Sequence, residues 1–416
     1  VSCGGGSCQA PSELEVDPQS LMQLRQQSPG GSGERSCDLP TKACHMEEEA
    51  GCGLRGMSLH NTYAVHPGRG TACLNSSAPF YFRVKRGNPT KLLFVMEHGG
   101  ACWDQASFDR DPFYGCKKEP GPGMWGGMMN HSHKDNPYHG YTIVSVPSCA
   151  GDLFAGNAHQ PWGPGGSTVP QSGYNNTKAA LEWSLKEFPV LTKFALLGSS
   201  AGGMGLQYWT DAILAKFEDR KARAVVYSDS FVGQTNPGPA MLPYVQGAIN
   251  AIWKVCGNSA LDAEAQAACA AQTFTWQGQF AAAMRRHPTA RFAMLSSKTD
   301  AVQVAFNTLF GPPYSQETFY RDATLVAKSF AEHPNFRAYF VDGAAHVLLS
   351  TSIFYTGSTL GPQSLEGEPS ISSWVHGFED CKAPTPGHAC AGDTANVTSR
   401  DQPLPTGTTW CDVVFA

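Results

Sequence analysis

Apolar and polar positions follow a regular order from about residue 62 onward. Short runs that are nearly continuous or alternating in apolar residues predict buried strands, over residues 79–87, 91–100, 141–149, 193–198, 222–230, 290–300 and 335–346. Apolar residues spaced as on one helix face predict helices over 175–188 and 204–219. Buried strands that alternate with helices are typical of a mostly parallel sheet covered on both faces. The pattern therefore predicts an α/β fold that binds its ligand beyond the carboxyl ends of the strands.

Two segments depart from this order. Residues 1–58 are rich in Gly, Ser, Cys and charge, which predicts an N-terminal extension that is pinned by disulfides or partly disordered. Residues 231–289 have a mostly helical pattern and predict a helical insertion or lid, in which Cys256 and Cys269 are expected to form a local bridge. We therefore divide the chain into the extension, residues 1–58, and a single domain, residues 59–416.

Composition narrows the classes of partner. The net charge is −5 and only 16% of the residues are charged, so no basic surface indicates a nucleic-acid partner. No run of 18 apolar residues exists, so we expect no membrane span. We also expect a monomer.

Cysteine usage indicates the compartment. The chain has 14 cysteines without a C-x-x-C pair, which argues against a zinc knuckle and allows up to seven disulfides. Disulfides form in oxidising compartments, so we expect a secreted protein, with Val1 following a removed leader or a cut. Four sequons agree with secretion; they begin at Asn75, Asn130, Asn175 and Asn396.

A serine between small residues joins a predicted strand to a predicted helix. The stretch "FALLGSSAGGMG" contains a G-x-S-x-G motif with Ser200 at its centre. Small flanking residues permit a sharp, strained turn that exposes the hydroxyl, and the following helix directs free N–H groups toward a developing oxyanion. The motif also occurs by chance as a simple bend. Its position between strand and helix favours Ser200 as a nucleophile.

A nucleophilic serine requires a base and an acid, which in this fold follow it in the order Ser, acid, His. His346 follows the last predicted strand, and Asp300 ends the strand before it, so both reach the edge of the sheet that carries Ser200. Asp229, one strand earlier, is the alternative acid. Asp342 is expected to cap a loop.

An acyl-transfer enzyme also stabilises a tetrahedral oxyanion. The stretch "EHGGACW" ends a buried strand in Gly99 and Gly100, whose backbone N–H groups no side chain covers. With the N–H of Ala201 they predict an oxyanion hole. This chemistry requires no cofactor and no metal ion.

Two other stretches carry candidate chemistry. His131, His133 and His139 could ligate a metal ion, but no carboxylate or further histidine follows at ligand spacing, so a histidine-bearing surface loop is favoured. The stretch "GPGMWGGMM", residues 121–129, either forms an aromatic and thioether rim for the substrate or packs beneath a loop.

Several motifs together resemble the pectin acetylesterase and Notum carboxylesterase family. The similarity extends from about Thr62 into the C-terminal tail, and it lies in "ACLNSSAPFYFRV", "FVMEHGGACWD", "VPSCAGDLFAGN", "GYNNTKAALEWSLKEFP", "LLGSSAGGMG", "KTDAVQ", "GAAH" and "SISSWVHGF". The resemblance implies an α/β-hydrolase fold and a serine carboxylesterase. It also implies the same site: Ser200, Asp300 and His346, with Gly99, Gly100 and Ala201 as the oxyanion hole.

The chain departs from the family pattern at two positions. His98 stands where members usually have glycine, and we expect it to reshape the acyl pocket. Ser199 stands where many members have cysteine, which removes a potential disulfide partner. The expected activity is hydrolysis of acetyl esters on a polysaccharide such as pectin. Alternatives are a lipid-type acyl group on a protein, a polyester, or a catalytically silent binding module.

Overall fold

Eleven strands are present in the part of the chain that the structure, a computed structural model, describes: residues 40, 42–47, 52–110, 115–123, 125–220, 222–236, 238 and 240–357, with 370–380. They are β1 Lys42–His45, β2 Thr62–His66, β3 Phe82–Lys85, β4 Asn88–Met96, β5 Tyr141–Val146, β6 Ala158–Gln160, β7 Val169–Gln171, β8 Lys193–Ser199, β9 Ala224–Asp229, β10 Arg291–Ser297 and β11 Phe336–Val341.

Nine of these strands form one sheet in the order β1-β2-β3-β5-β4-β8-β9-β10-β11. From β5 to β11 all neighbours are parallel, whereas β3 is antiparallel to both β2 and β5. The short strands β6 and β7 form a separate antiparallel pair. The predicted mostly parallel sheet is confirmed.

Ten helices lie in the described residues. They are α1 Gln105–Asp109, α2 Gly173–Glu187, α3 Ala201–Phe217, α4 Leu242–Trp253, α5 Ala263–Ala270, α6 Trp276–Arg286, α7 Ala301–Thr308, α8 Gln316–Phe330, α9 Ile353–Thr356 and α10 Ile371–Asp380.

Apolar side chains fill both faces of the sheet. On β4, Leu92 and Phe94 pack into one buried cluster, while Leu93 and Val95 pack into the cluster on the opposite face. Successive strand residues point to opposite faces, so a continuous apolar run satisfies two layers of helices at once. This is the physical reason why the runs in the sequence do not alternate.

The sheet also sets where a ligand can bind. The chain passes from β4 to β5 on one side and then returns to place β8 on the other side of β4. In parallel sheets of this kind a crevice forms at the carboxyl ends of strands where the direction of winding reverses. The segments after β4 and β8, which carry Gly100 and Ser200, therefore meet at that crevice.

The sheet begins inside the predicted N-terminal extension. Residues 42–45 form β1, which pairs in parallel with β2 at the sheet edge. Leu54 and Met57 are buried in the core, and the Trp183 indole donates a hydrogen bond to the Cys52 carbonyl at 2.9 Å. The apolar content of this stretch was too sparse to predict a strand. Most of residues 1–58 lie outside the described residues.

Four disulfides join described cysteines: Cys44–Cys52, Cys73–Cys149, Cys102–Cys116 and Cys256–Cys269. The expected local bridge in the helical segment is among them. The other six cysteines of the sequence lie outside the described residues. Cys102–Cys116 and Cys73–Cys149 both fasten loops at the carboxyl edge of the sheet, next to β4 and β5.

Candidate active site

Ser200 forms a sharp corner between β8 and α3. Its backbone has φ 54° and ψ −118°, which L-residues rarely adopt, and its N–H donates to the Asp229 carbonyl at 2.8 Å. A Cβ on Gly198 would lie 2.2 Å from the Gly202 carbonyl oxygen, and one on Gly202 would lie 2.0 Å from that of Met96. Close backbone approach therefore explains why glycines flank the serine.

His346 and Asp300 form a close pair. The His346 Nδ1 atom lies 2.8 Å from Asp300 Oδ2 and 2.9 Å from Oδ1. Asp300 caps α7, since its Oδ1 accepts from the N–H groups of Val302 and Gln303, and the Gln303 amide donates to its Oδ2 at 2.9 Å. The acid is fully buried and these donors fix its orientation.

Ser200 and His346 line the same cavity, whose volume is about 90 Å³. The Nε2 atom of His346 is buried and has no hydrogen-bond partner among the described residues. When Nδ1 donates to Asp300, Nε2 is the ring nitrogen that can accept a proton. The sequence thus identified three residues that the fold gathers at one edge of the sheet.

Of the two glycines after β4 that were predicted as oxyanion donors, Gly100 lies in the cavity wall and Gly99 does not. Gly100 and Ala201 line the cavity, whereas Gly99 packs against Ser148 and is outside the lining. The Lys117 N–H donates to the Gly99 carbonyl at 2.9 Å. Because a trans peptide is planar, its C=O and N–H point in opposite directions. The Gly100 N–H of that peptide therefore points away from Lys117.

His98 and Lys117 form a buried pair behind this segment. The Lys117 Nζ atom lies 3.1 Å from His98 Nε2 and 3.5 Å from the His98 carbonyl oxygen. Burial lowers the pKa of His98 well below its usual value, and nearby Lys117 lowers it further. Burial also lowers the pKa of Lys117 to about 8, opposed by the charge of Glu97. His98 was expected to reshape the acyl pocket, but it is not among the lining residues.

The two alternative carboxylates have other partners. Asp342 lies 3.4 Å from the Lys298 ammonium in a buried ion pair that joins the loops after β10 and β11. The His346 ring is hydrogen-bonded to Asp300 and not to Asp229, whose carboxylate accepts hydrogen bonds from backbone N–H groups just after His346. Burial raises the pKa of Asp229. Sequence order favoured Asp300 over Asp229, and the His346 ring is hydrogen-bonded to Asp300.

Most of the cavity wall is apolar. Large apolar lining residues come from the segments after β4, β5 and β9, from α3, α4 and α7, and from the turn after α7: Trp103, Leu153, Met204, Phe231, Ile249, Trp253, Val302, Phe306 and Phe310. The rings of Trp103 and Phe310 lie 5.0 Å apart. Gln303 and Asn307, two of the polar lining residues, already bond protein backbone. The wall is therefore suited to a hydrocarbon chain.

Leu153 reaches the cavity from a strained loop. Leu153 and Phe154 have φ 53° and 66°, which side-chain-bearing residues rarely adopt. The preceding Asp152 is buried and accepts from the Gly173 N–H at 2.7 Å. Burial raises its pKa to about 7. The sequence placed this loop in a family motif but gave no signal that it borders the cavity.

The alternative histidine and methionine stretches lie elsewhere. His131 is buried and its pKa is lowered to about 4, chiefly by burial, while His133 stacks on Tyr355 with ring centroids 3.7 Å apart. Within the described ranges, no group of three or more His, Cys, Asp or Glu could hold a metal ion. Met128 and Met129 are buried core residues and do not line the cavity, which favours packing for residues 121–129.

No helix in the described part of the chain is long and apolar enough to cross a membrane. The elbow, the His–Asp pair and the parallel sheet together define an α/β-hydrolase fold.

The chain belongs to the pectinacetylesterase family, whose model matches residues 57–333. Two solved structures of the Wnt deacylase Notum from Drosophila, in crystal forms II and I, have the same fold. They match with TM-scores of 0.56 and 0.54 at 17% identity, over 76% of this chain and 91% of theirs. No curated protein sequence matches significantly. The protein is a carboxylic ester hydrolase of this family.

Proposed function

We propose that Ser200, His346 and Asp300 act as a catalytic triad. His346 Nε2 takes the Ser200 proton as Oγ attacks the ester carbonyl, and the N–H groups of Gly100 and Ala201 stabilise the oxyanion. Gly99, the third donor expected from the sequence, lies outside the cavity lining and is left out of this proposal. The C–O bond then breaks and His346 returns the proton to the leaving alcohol. Water hydrolyses the acyl-enzyme with His346 again as base, which releases the acid and restores Ser200.

The observation that carries the substrate assignment is the apolar wall beside Ser200. A single water needs roughly 10–15 Å³, so a cavity of about 90 Å³ has room for several non-hydrogen atoms beyond an acetyl group. We therefore propose an ester with an apolar acyl chain longer than acetyl. Notum is a Wnt deacylase, which favours an acyl group on a protein, and so the lipid-type alternative of the sequence analysis, as one form of this substrate.

A second candidate is acetyl removal from a polysaccharide such as pectin. The name of the matching family, pectinacetylesterase, favours it. An acetyl ester would leave most of the apolar wall empty, and for this reason we rank it below the longer chain.

A p-nitrophenyl ester series from acetate to palmitate tests both candidates. We expect kcat/KM of the parent protein to rise beyond acetate, and Ser200→Ala to lose turnover on every ester. A maximum at acetate, together with acetate release from acetylated pectin, would favour the second candidate. Activity that survives in Ser200→Ala would exclude Ser200 as the nucleophile, whereas a parent inactive on every ester would leave a binding module as the remaining explanation.

We also propose that the protein is secreted and acts as a monomer. Four disulfides among the described residues support an oxidising compartment. Light scattering after size exclusion measures the mass of the active species, and a dimer would contradict the second part of the proposal.

A further inference from the structure

Asp229 ends β9 with a carboxylate that accepts hydrogen bonds from both sides. The hydroxyls of Ser199 and Ser230 donate to it, each at 2.9 Å. The backbone N–H groups of Leu348 and Leu349 donate to it, both at 3.0 Å. Asp229 is fully buried, and its donors among the described residues are neutral.

The donors come from the two loops that carry the proposed nucleophile and base. Ser199 directly precedes Ser200, whose own N–H donates to the backbone carbonyl of Asp229 at 2.8 Å. On the other side, Leu348 and Leu349 closely follow His346. One residue thus bonds both loops through its carboxylate and its carbonyl.

The loop after His346 is strained and needs such a partner. Val347 has φ 62°, a conformation that is costly for a β-branched residue. Its N–H donates to the Ser230 hydroxyl at 2.8 Å, and Ser230 in turn donates to Asp229. The Asp229 carboxylate and the Ser230 hydroxyl therefore accept hydrogen bonds from three successive backbone N–H groups, those of residues 347–349.

We propose that Asp229 is a positioning residue that keeps Ser200 and His346 in register for proton transfer. The inference rests on the proposed triad. The role proposed for Asp229 differs from that of the triad acid, because the His346 Nδ1 atom bonds Asp300. Ser199, which stands where many family members have cysteine, supplies the bond on the nucleophile side.

An amide at this position cannot replace the carboxylate. Backbone N–H groups approach both oxygens, because Leu348 donates to Oδ1 at 3.0 Å and Leu349 to Oδ2 at 3.0 Å. Either orientation of an asparagine would turn its NH₂ group toward one of these N–H donors. The loop that carries His346 would then shift, and a misplacement of about 1 Å can lower the rate about 10²-fold.

The test compares Asp229→Asn with Asp300→Asn and with the control Asp211→Asn. Asp211 is a buried carboxylate on α3 that is bonded to Arg286 and His287 and is not among the cavity-lining residues. For each protein, kcat and KM are measured on the best p-nitrophenyl ester, active sites are counted with a fluorophosphonate, and unfolding is followed by urea titration. Ser199→Ala removes one hydrogen bond to Asp229, and Ser230→Ala removes both its bond to Asp229 and the bond from the Val347 N–H. These two variants keep the test available if Asp229→Asn does not fold.

We expect kcat per titrated site to fall about 10²-fold in Asp229→Asn with KM unchanged, and by a smaller factor in the two serine variants. Asp211→Asn should lose stability but keep kcat. The inference is overturned if kcat per site matches the parent in Asp229→Asn, or in both serine variants where Asp229→Asn is unfolded. An active Ser200→Ala would instead remove the proposed triad itself, so the two failures are distinguishable.

Discussion

At the scale of single residues, the sequence predicted which side chains the fold brings together better than it predicted the groups that hold them in place. Ser200, Asp300 and His346 follow strands in a fixed order, and strand ends are visible as the limits of apolar runs. Asp229 also ends a strand, so its position could not reveal whether it faces the imidazole ring or the backbone beyond it. That difference depends on loop conformation, such as the positive φ of Val347, which residue type does not encode.

Asp300 offers a sharp residue-scale prediction. Asp300→Asn should lower kcat by up to about 10⁴-fold, since an amide donor would favour the wrong tautomer of His346. The α7 cap is largely kept, because the asparagine oxygen can still accept from Val302 and Gln303. The measurement is kcat on the best ester, with Asp322→Asn on α8, a half-buried carboxylate outside the cavity lining, as the control. An Asp300→Asn variant as active as the parent would exclude Asp300 as the acid.

Lys117 gives a second prediction at this scale. Lys117→Met removes the ammonium that contacts His98 but keeps the backbone bond from Lys117 to Gly99. The segment that carries the Gly100 N–H is then held by fewer bonds, so we expect a partial loss of oxyanion stabilisation. Loss of a whole donor costs about 10²–10³-fold in kcat, so a fall of about tenfold is expected here. The neighbouring Lys118→Met, whose ammonium lies 4.0 Å from the Phe108 ring centroid, is the control. Equal kcat in both variants would contradict the prediction.

At the scale of elements, strands were predictable, but the sequence did not show which helices line the cavity. Helix α4 lies in the segment predicted as an insertion or lid, and it contributes Ile249 and Trp253 to the wall. The Trp253 indole donates to the Cys102 carbonyl at 2.9 Å, which ties this helix to the segment after β4. The helical pattern showed that a helix would form, but only the fold shows which of its faces borders Ser200.

This arrangement predicts a change of chain-length preference. Ile249→Trp adds volume to the wall, so we expect kcat/KM to fall at least about tenfold on the longest ester that the parent accepts and to change little on acetate. Leu325→Trp on α8 makes a comparable addition at a side chain that is 59% exposed, and it should leave the series unchanged. An unaltered profile in Ile249→Trp would show that the acyl chain lies elsewhere.

The loop that carries Leu153 predicts a pH dependence of stability. Burial raises the folded-state pKa of Asp152 to about 7, whereas an unfolded aspartate titrates near 3.9. Between these values the folded state binds more protons, so the contribution of Asp152 to stability is full below about pH 4 and is lost as the pH rises through about 7. Asp152→Asn should therefore show a smaller fall in unfolding free energy from pH 4 to pH 8. If the unfolding free energies of Asp152→Asn and the parent protein changed equally with pH, the raised pKa of Asp152 would be contradicted.

At the scale of the whole molecule, the α/β class could be predicted because the spacing of apolar residues indicates the order of strands and helices. The edge strand β1 could not be predicted, since it has only one buried residue, Cys44. Its pairing with β2 depends on a contact between segments that are separated in the sequence. Buried positions inside the predicted extension, such as Leu54 and Met57, are too few to stand out from their polar surroundings. The sequence therefore located the centre of the domain more accurately than its boundary.

This difference leads to a prediction about the minimal domain. A chain that begins at residue 59 lacks β1 and the buried side chains of Leu54 and Met57, each of which stabilises the fold by about 1.5–3 kcal/mol. We expect it to unfold at a clearly lower urea concentration than a chain that begins at residue 40. Ester turnover by the fraction that remains folded should be kept, because neither side chain lines the cavity. Equal urea midpoints would mean that the catalytic domain starts at residue 59 and that β1, although it pairs with the edge strand, does not stabilise the fold.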